Sequence, residues 1–266
     1  MVNYLTKRNF FFISAATLLA SSYRPSAAKA QQVSKSEGYI IISDECVFEE
    51  SDSSYLSGTK QRIFNESGFT ILDGALKDEV DSLNKEFETD SHFYFYNDKD
   101  GMNAFAQPGS RSPSVCFGFR LLHSELNSPD PFLLHGSNPS NKLARTGSVA
   151  AIMAHEWGHT LQFKYRKQFG FDEVNRFGVR MELHADVLAG WYMGKKSSLE
   201  NVSTEDILES FYNKGDFLPF NDTNHHGTKL QRATAITKGF EQSKSGILNA
   251  RDAYLIGRNI VGEIIS

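Results

Sequence analysis

The stretch GSVAAIMAHEWGHTLQF, from Gly147 to Phe163, is the part of the sequence on which the fold prediction rests. Its only ionisable side chains are His155, Glu156 and His159; the rest is mainly apolar or small, without proline. Side chains four residues apart lie on one face of a helix, so this pattern predicts a buried helix whose ionisable groups are gathered at one site. Thr146 is predicted to be the N-cap of this helix.

The pattern H-E-x-x-H within this helix predicts a catalytic zinc site. His155 and His159 can each present a ring nitrogen to one ion, and Glu156 would lie beside them, within reach of a water that the metal activates. Zinc lowers the pKa of water towards neutrality, and a carboxylate general base can take the proton as the water attacks a carbonyl. The alternative is a pair of core histidines with ordinary hydrogen bonds.

A catalytic zinc ion needs a third protein ligand, and the segment RMELHADVLAGW, residues 180–191, can supply it. Glu182 and Asp186 lie one helical turn apart on a shared face. We expect Glu182 to be the third ligand and Asp186 to accept a hydrogen bond from the outer nitrogen of a zinc-bound histidine. His184 is a rival ligand, but it points away from the Glu182 face and is expected to be a bystander. A solvated acidic helix face is the alternative for both carboxylates.

These motifs carry a resemblance to a known family. His-Glu-x-x-His followed by Glu-Leu-x-Ala-Asp-x-x-Ala-Gly resembles the gluzincin metallopeptidases, most closely the bacterial neutral zinc metallopeptidase family, and HGTKLQR, from His226 to Arg232, is similar to a third block of that family. The resemblance implies that His226 hydrogen-bonds the tetrahedral intermediate and that Arg232 orients it or binds substrate, a role that suits a developing oxyanion. Alternatively, Thr228 only caps a helix, Arg232 is a surface charge, or His225 takes the place of His226.

The region before the zinc helix is predicted to contain strands. Residues 91–96, the Asn103–Ala106 segment and residues 114–122 are rich in aromatic and apolar side chains and are separated by turn residues. In the gluzincins that this chain resembles, an Asn-Ala-Phe-Ala-type segment and the edge strand after it lie above the zinc helix. The resemblance therefore implies a peptide or protein substrate held extended along an edge strand. An ordinary core hairpin is the alternative.

The N-terminus has the pattern of a secretory signal peptide. A charged start with Lys7 and Arg8 precedes an apolar stretch, and the small-x-small sequence that ends at Ala30 predicts cleavage after that residue. Residues 6–10 also faintly resemble a twin-arginine export signal, so both export routes stay open. We expect an exported protein, periplasmic or secreted.

Charge and hydropathy limit the partners of the mature chain. Residues 1–30 carry four cationic side chains and no acid, so the formal charge falls from −4 for the whole chain to −8 for the rest. Such a surface disfavours nucleic acid and anionic membranes as partners. No other apolar run is long enough to span a bilayer, so no membrane insertion is expected after removal of the signal.

The two cysteines, Cys46 and Cys116, could form a disulfide in an oxidising compartment. Cys116 lies on a predicted strand, which favours a buried thiol over a disulfide. No cysteine lies near the zinc motifs, so a soft-ligand metal site is not expected.

Together these patterns predict an α+β fold with a mainly helical gluzincin-type core and a small antiparallel sheet whose edge strand borders the active-site cleft. Further helices are expected at residues 75–88, 203–215, 228–243 and 247–260. Residues 31–60 are predicted to be a partly disordered N-terminal extension, and residues 61–266 a metallopeptidase domain. The expected function is zinc-dependent hydrolysis of polypeptides. The alternative is a catalytically inert metallopeptidase-fold scaffold that binds a peptide or partner.

Overall fold

The computed structural model describes residues 38–42, 59–68, 70–99, 101–127, 144–169, 178–197, 204–219, 225–246 and 249–266. Over these residues the chain is mainly helical, with seven helices and one small mixed sheet, so the α+β class is confirmed. The predicted signal peptide, most of the predicted extension and Cys46 lie outside the described residues.

The sheet has five strands in the order β1-β2-β3-β5-β4. They are β1 (Gly38–Ile42), β2 (Thr59–Phe64), β3 (His92–Tyr96), β4 (Ala104–Gln107) and β5 (Ser114–Gly118). The expectation of a purely antiparallel sheet is wrong for one pair, because β3 and β5 run parallel while the other neighbours are antiparallel. The chain passes from β3 to the edge as β4 and returns as β5 between the two, which forces β5 to run in the direction of β3.

The helices are α1 (Thr70–Phe87), α2 (Phe119–Asn127), α3 (Ala144–Phe169), α4 (Gly178–Ser197), α5 (Thr204–Asn213), α6 (Lys229–Lys244) and α7 (Ala250–Ile264). The predicted N-cap Thr146 is wrong, because α3 begins two residues earlier and Thr146 lies inside it. No helix-breaking residue stands at positions 144–146, so the helix continues to Ala144. No helix among the described residues is long and apolar enough to cross a membrane.

The strand predicted from residue 114 to 122 is shorter than expected, because β5 ends at Gly118 and α2 follows at once. The carboxylate of Asp98 accepts hydrogen bonds from the backbone N–H groups of Arg120, at 2.7 Å, and Leu121, at 3.0 Å. These bonds satisfy free donors in the first turn of α2, which stabilises a helix start inside an apolar run. The cap comes from a residue more than twenty positions away, so the local pattern does not reveal it.

The core places α3 against α4. Both helices are buried along most of their length, with Trp157, Leu161, Leu188 and Trp191 almost inaccessible to solvent. The two backbones come close at Gly158, where a Cβ atom would lie 3.0 Å from the Cα atom of Ala185. Helix α3 also packs on β4 and β5, and α4 packs on α6 and α7. This arrangement brings the acidic residues of α4 beside the histidines of α3.

Candidate metal centre

Three side chains from α3 and α4 converge on one point. His155 Nε2 lies 3.2 Å from His159 Nε2 and 3.2 Å from Glu182 Oε2, and His159 Nε2 lies 3.3 Å from Glu182 Oε1. All three residues are buried. Their ligand atoms form a group that could hold a metal ion. His184, the rival ligand, is not in this group.

The size of this triangle fits a tetrahedral metal ion. Ligand atoms at about 2.0–2.1 Å from a zinc ion in tetrahedral geometry are separated from one another by about 3.3–3.4 Å. The three observed distances, 3.2, 3.2 and 3.3 Å, are close to that separation. Two imidazoles and one carboxylate also form a donor set typical of catalytic zinc, which leaves a fourth position for water or substrate.

The buried charges around the triangle also favour a divalent cation. Glu156, Glu182 and Asp186 are all buried, and Arg232 is the buried cation that faces them. With neutral imidazoles, three carboxylates and one guanidinium leave an excess of two negative charges. Uncompensated charge is costly in a buried site, and a doubly charged metal ion would remove it.

Protonation of the cluster follows the same charges. Although burial lowers the pKa of His155, its hydrogen bonds to Asp186 and Glu182 raise that pKa to about 10. Burial acts to raise the pKa of Glu182, but contact with the two imidazoles holds it well below its usual range. The carboxylates therefore favour a positive charge at this point, which protons or a metal ion can provide in competition with each other.

The outer nitrogen of His155 faces a carboxylate that is itself paired. His155 Nδ1–H donates to Asp186 Oδ1 at 2.7 Å. Arg232 binds the same carboxylate at two points, from Nε to Oδ2 at 2.8 Å and from Nη2 to Oδ1 at 2.7 Å. Burial alone would raise the pKa of Asp186, but Arg232 and then His155 hold it below its usual range. This is the arrangement that fixes the tautomer and orientation of a metal-binding histidine.

Arg232 thus lies in the outer layer of the site. It is only 5% exposed, so the interpretation of Arg232 as a surface charge is wrong. Its remaining Nη1 group donates to the backbone oxygen of Lys214 at 3.4 Å. Its contact with substrate stays a prediction, while its contact with Asp186 is a role that the sequence analysis did not foresee.

The outer nitrogen of His159 has a partner that the sequence analysis missed. His159 Nδ1 lies 2.9 Å from Gln162 Oε1, and Gln162 is buried. His184, which was expected to be a bystander, uses both ring nitrogens in hydrogen bonds, to Gln162 Nε2 at 3.0 Å and to the backbone oxygen of Tyr254 at 2.9 Å. Burial lowers the pKa of His184 to about 3, so its ring is neutral. The sequence signal for the contact between His159 and Gln162 is a glutamine three residues after the second histidine, on the same helix face.

Glu156 is buried between the histidines and the sheet. Burial raises the pKa of Glu156 above its usual range, and the imidazoles of His155 and His159 oppose that rise. Its charge reaches Cys116 on β5, where burial and then Glu156 raise the pKa of the thiol to about 12. A buried carboxylate with a raised pKa binds a proton more readily than an exposed one, as a general base near neutral pH must.

Phe211 on α5 forms an apolar wall beside the outer layer. Its ring centroid lies 5.9 Å from that of His155 and 5.3 Å from the guanidinium carbon of Arg232. Phe211 is 1% exposed. It therefore keeps water away from the Arg232–Asp186–His155 series, where a low local dielectric strengthens charged hydrogen bonds.

The two histidines before α6 differ in their surroundings. The His226 side chain is 52% exposed, whereas the His225 side chain is 3% exposed. Both are tied to Asp216: His225 Nδ1 lies 2.5 Å from Oδ1, and the backbone N–H of His226 donates to Oδ2 at 2.8 Å. Thr228 is the N-cap of α6 and forms a capping box with Gln231. The cap and a role for His226 in the reaction are compatible, because they use different groups.

The strand beside α3 is an edge strand of the described sheet. Within the described part of the chain β4 pairs only with β5, which leaves its other side open. Ala104 and Ala106 pack against the core that contains α3, while Phe105 packs on the opposite face beside Tyr96. Among the described residues β4 is thus an edge strand of the sheet, and it packs on α3, which carries the two histidines.

Comparison of the chain with family models, with curated proteins and with solved structures finds no significant match. The functional conclusions below therefore rest on the residues and their geometry.

Proposed function

We propose that this protein is an exported zinc metallopeptidase of the gluzincin type that hydrolyses internal peptide bonds of polypeptides. The observation that carries the proposal is the buried triangle of His155, His159 and Glu182, whose edges match the ligand separations of tetrahedral zinc. The H-E-x-x-H spacing and the paired carboxylate Asp186 support the same interpretation.

In the proposed reaction the protein's own side chains carry the proton transfer. A zinc ion held by the triangle would polarise a substrate carbonyl and lower the pKa of water at the open position. Glu156 follows His155 directly on α3 and is buried beside both histidines. In the proposed reaction Glu156 accepts a proton from the attacking water and returns it to the amine that leaves. His226 donates a hydrogen bond to the oxygen that gains negative charge.

The edge strand β4 is the proposed site for the substrate backbone. An extended peptide paired with an edge strand gains main-chain hydrogen bonds irrespective of its side chains. Because β4 packs on α3, a peptide on this edge would pass near the metal centre. A peptide that pairs with the strand on both sides of the cleaved bond would be cut within the polypeptide and not at a terminal residue.

The test compares the parent protein with Glu156→Gln, which keeps the shape of the side chain and removes its basicity. Metal content is measured by elemental analysis of the purified mature protein, and activity by digestion of a mixed peptide library. We expect one zinc ion per chain in both proteins and a fall in hydrolysis of about 10²–10⁴-fold in the variant, the usual contribution of a general base. Glu209→Gln, at an exposed position of α5, is the matched control.

The possible outcomes separate enzyme from scaffold. If the parent protein binds zinc but cleaves no peptide in the library, an inert peptide-binding scaffold replaces the proposed enzyme. If Glu156→Gln hydrolyses peptides as fast as the parent protein, the peptidase stands but Glu156 is not its base.

A further inference from the structure

We infer that Gln162 and His184 are positioning residues that determine which ring nitrogen of His159 faces the metal. The inference rests on the metal-binding part of the proposed function and is independent of peptide hydrolysis. It follows from four connected hydrogen bonds. The donor and the acceptor of each bond are fixed by the groups farthest from His159.

This series of bonds begins on α7, at the backbone oxygen of Tyr254. This oxygen can only accept, so His184 Nε2, at 2.9 Å, must carry a hydrogen. The neutral ring of His184 then has an acceptor at Nδ1. The contact depends on Gly257, because a Cβ atom at this position would lie 3.0 Å from His184 Nε2 and would push α7 away.

The next member is the side-chain amide of Gln162. Its Nε2 atom lies 3.0 Å from the His184 Nδ1 acceptor and 2.9 Å from the backbone oxygen of Met181. Both amide hydrogens are thus used, and both partners accept. A reversed amide would place oxygen against two acceptors, so only one orientation of Gln162 satisfies the site.

That orientation turns Gln162 Oε1 towards His159. The oxygen accepts a hydrogen bond from His159 Nδ1 at 2.9 Å, so His159 carries its hydrogen on Nδ1. His159 Nε2 is then the ring atom left to face a metal ion, and it lies 3.3 Å from Glu182 Oε1. Gln162 is 1% exposed and His184 is fully buried, so no solvent competes for these bonds.

The two histidine ligands therefore need different amounts of support. Asp186 accepts from His155 without ambiguity, because a carboxylate has no hydrogen to donate. An amide has both a donor and an acceptor end, so Gln162 can fix the ring of His159 only if something fixes Gln162. Met181 and His184 fix the orientation of the Gln162 amide. This explains why a neutral histidine is buried so close to the metal centre without being one of its ligands.

The test uses Gln162→Leu and His184→Phe, with Gln168→Leu, at an exposed position of the same helix, as the matched control. Zinc affinity is measured by competition with a chromophoric chelator. Nitrogen NMR of the zinc-loaded protein shows which ring nitrogen of His159 carries the hydrogen. We expect about 10–100-fold weaker zinc binding in Gln162→Leu, the usual effect of losing an outer partner of a histidine ligand. His184→Phe should show a smaller loss, and the control none.

The tautomer of His159 is a measurement that a loss of folding stability alone would not change. In the zinc-loaded parent protein the hydrogen of His159 should be on Nδ1, and Gln162→Leu should show a mixture of both forms. A parent protein with the hydrogen on Nε2 would overturn the inference without any variant, as would full zinc affinity in Gln162→Leu. Full zinc affinity in His184→Phe would show that His184 does not help to position His159. A parent protein that binds zinc with the expected tautomer but cleaves no peptide refutes only the proposed peptidase.

Discussion

Arg232 and Asp186 form a buried two-point ion pair, with Nε 2.8 Å from Oδ2 and Nη2 2.7 Å from Oδ1. Oδ1 also accepts the Nδ1–H of His155, so α6 is linked through α4 to the candidate metal centre on α3. Because the guanidinium holds the carboxylate, and the carboxylate holds the imidazole, the position of α6 contributes to the orientation of His155.

The pair makes Arg232 important for folding as well as for the site. Arg232→Ala would leave the Asp186 carboxylate buried with less compensation, and loss of one partner of a buried pair costs about 3–5 kcal/mol. Arg232→Lys keeps the charge but loses the two-point geometry, so an intermediate loss is expected. The free energy of unfolding of the metal-free protein in urea measures both. Lys238→Ala, at an exposed position of α6, is the control and should unfold like the parent; parental stability in Arg232→Ala would contradict the prediction.

Glu182 should be required for metal binding. Glu182→Gln keeps the size of the side chain but removes the negative charge that faces both imidazoles. We expect zinc affinity to fall by more than about 100-fold, the upper end of the effect of losing an outer partner. Chelator competition measures it, with Glu241→Gln, exposed on α6, as the control. If Glu182→Gln binds zinc as tightly as the parent, another group is the third ligand.

The spacing of the motifs was enough to predict which residues converge at the candidate metal centre. His155 and His159 on one helix, and Glu182 and Asp186 on another, follow a four-residue repeat that places each pair on one face, and a local repeat is visible in sequence. Gln162 was missed because a side-chain amide is not among the usual zinc ligands, although it lies three residues after His159 on the same face.

Features that depend on distant packing were not predictable in the same way. The contact between Arg232 and Asp186 joins residues 46 positions apart, and it depends on how α6 packs on α4. The parallel pairing of β3 with β5 likewise depends on which strand occupies the middle of the sheet. Neither arrangement leaves a periodic pattern in the chain, since both are set by long-range contacts.

Cys116 should be unreactive in the folded protein. It is a free thiol on β5, fully buried. Burial, and then the Glu156 carboxylate, raise its pKa to about 12, whereas an ordinary thiol has a pKa of about 8.5. The reactive thiolate is therefore suppressed at pH 8. In a Cys46→Ser background, Ellman's reagent should titrate no thiol until denaturant is added, and one afterwards. Rapid titration under native conditions would show that β5 is accessible.

His226 should affect turnover and not metal binding. Its side chain is half exposed, with ring Nδ1 3.4 Å from Asp216 Oδ2. The backbone N–H of His226 donates to the same oxygen at 2.8 Å, and this shorter bond remains when the ring is removed. If the ring stabilises a developing oxyanion, His226→Ala lowers kcat by about 10²–10³-fold. Zinc affinity should stay at the parental value, because the ring is not in the ligand triangle.

The neighbouring histidine provides the comparison for this prediction. His225 is buried against Asp216, so His225→Ala removes an internal contact and should lower the melting temperature more than His226→Ala does. Steady-state kinetics and thermal melting of both variants separate the two roles. Unchanged turnover in His226→Ala together with a large fall in His225→Ala, at equal zinc content, would transfer the proposed oxyanion contact to His225. Unchanged turnover in both would leave this segment with the helix cap of Thr228 as its function.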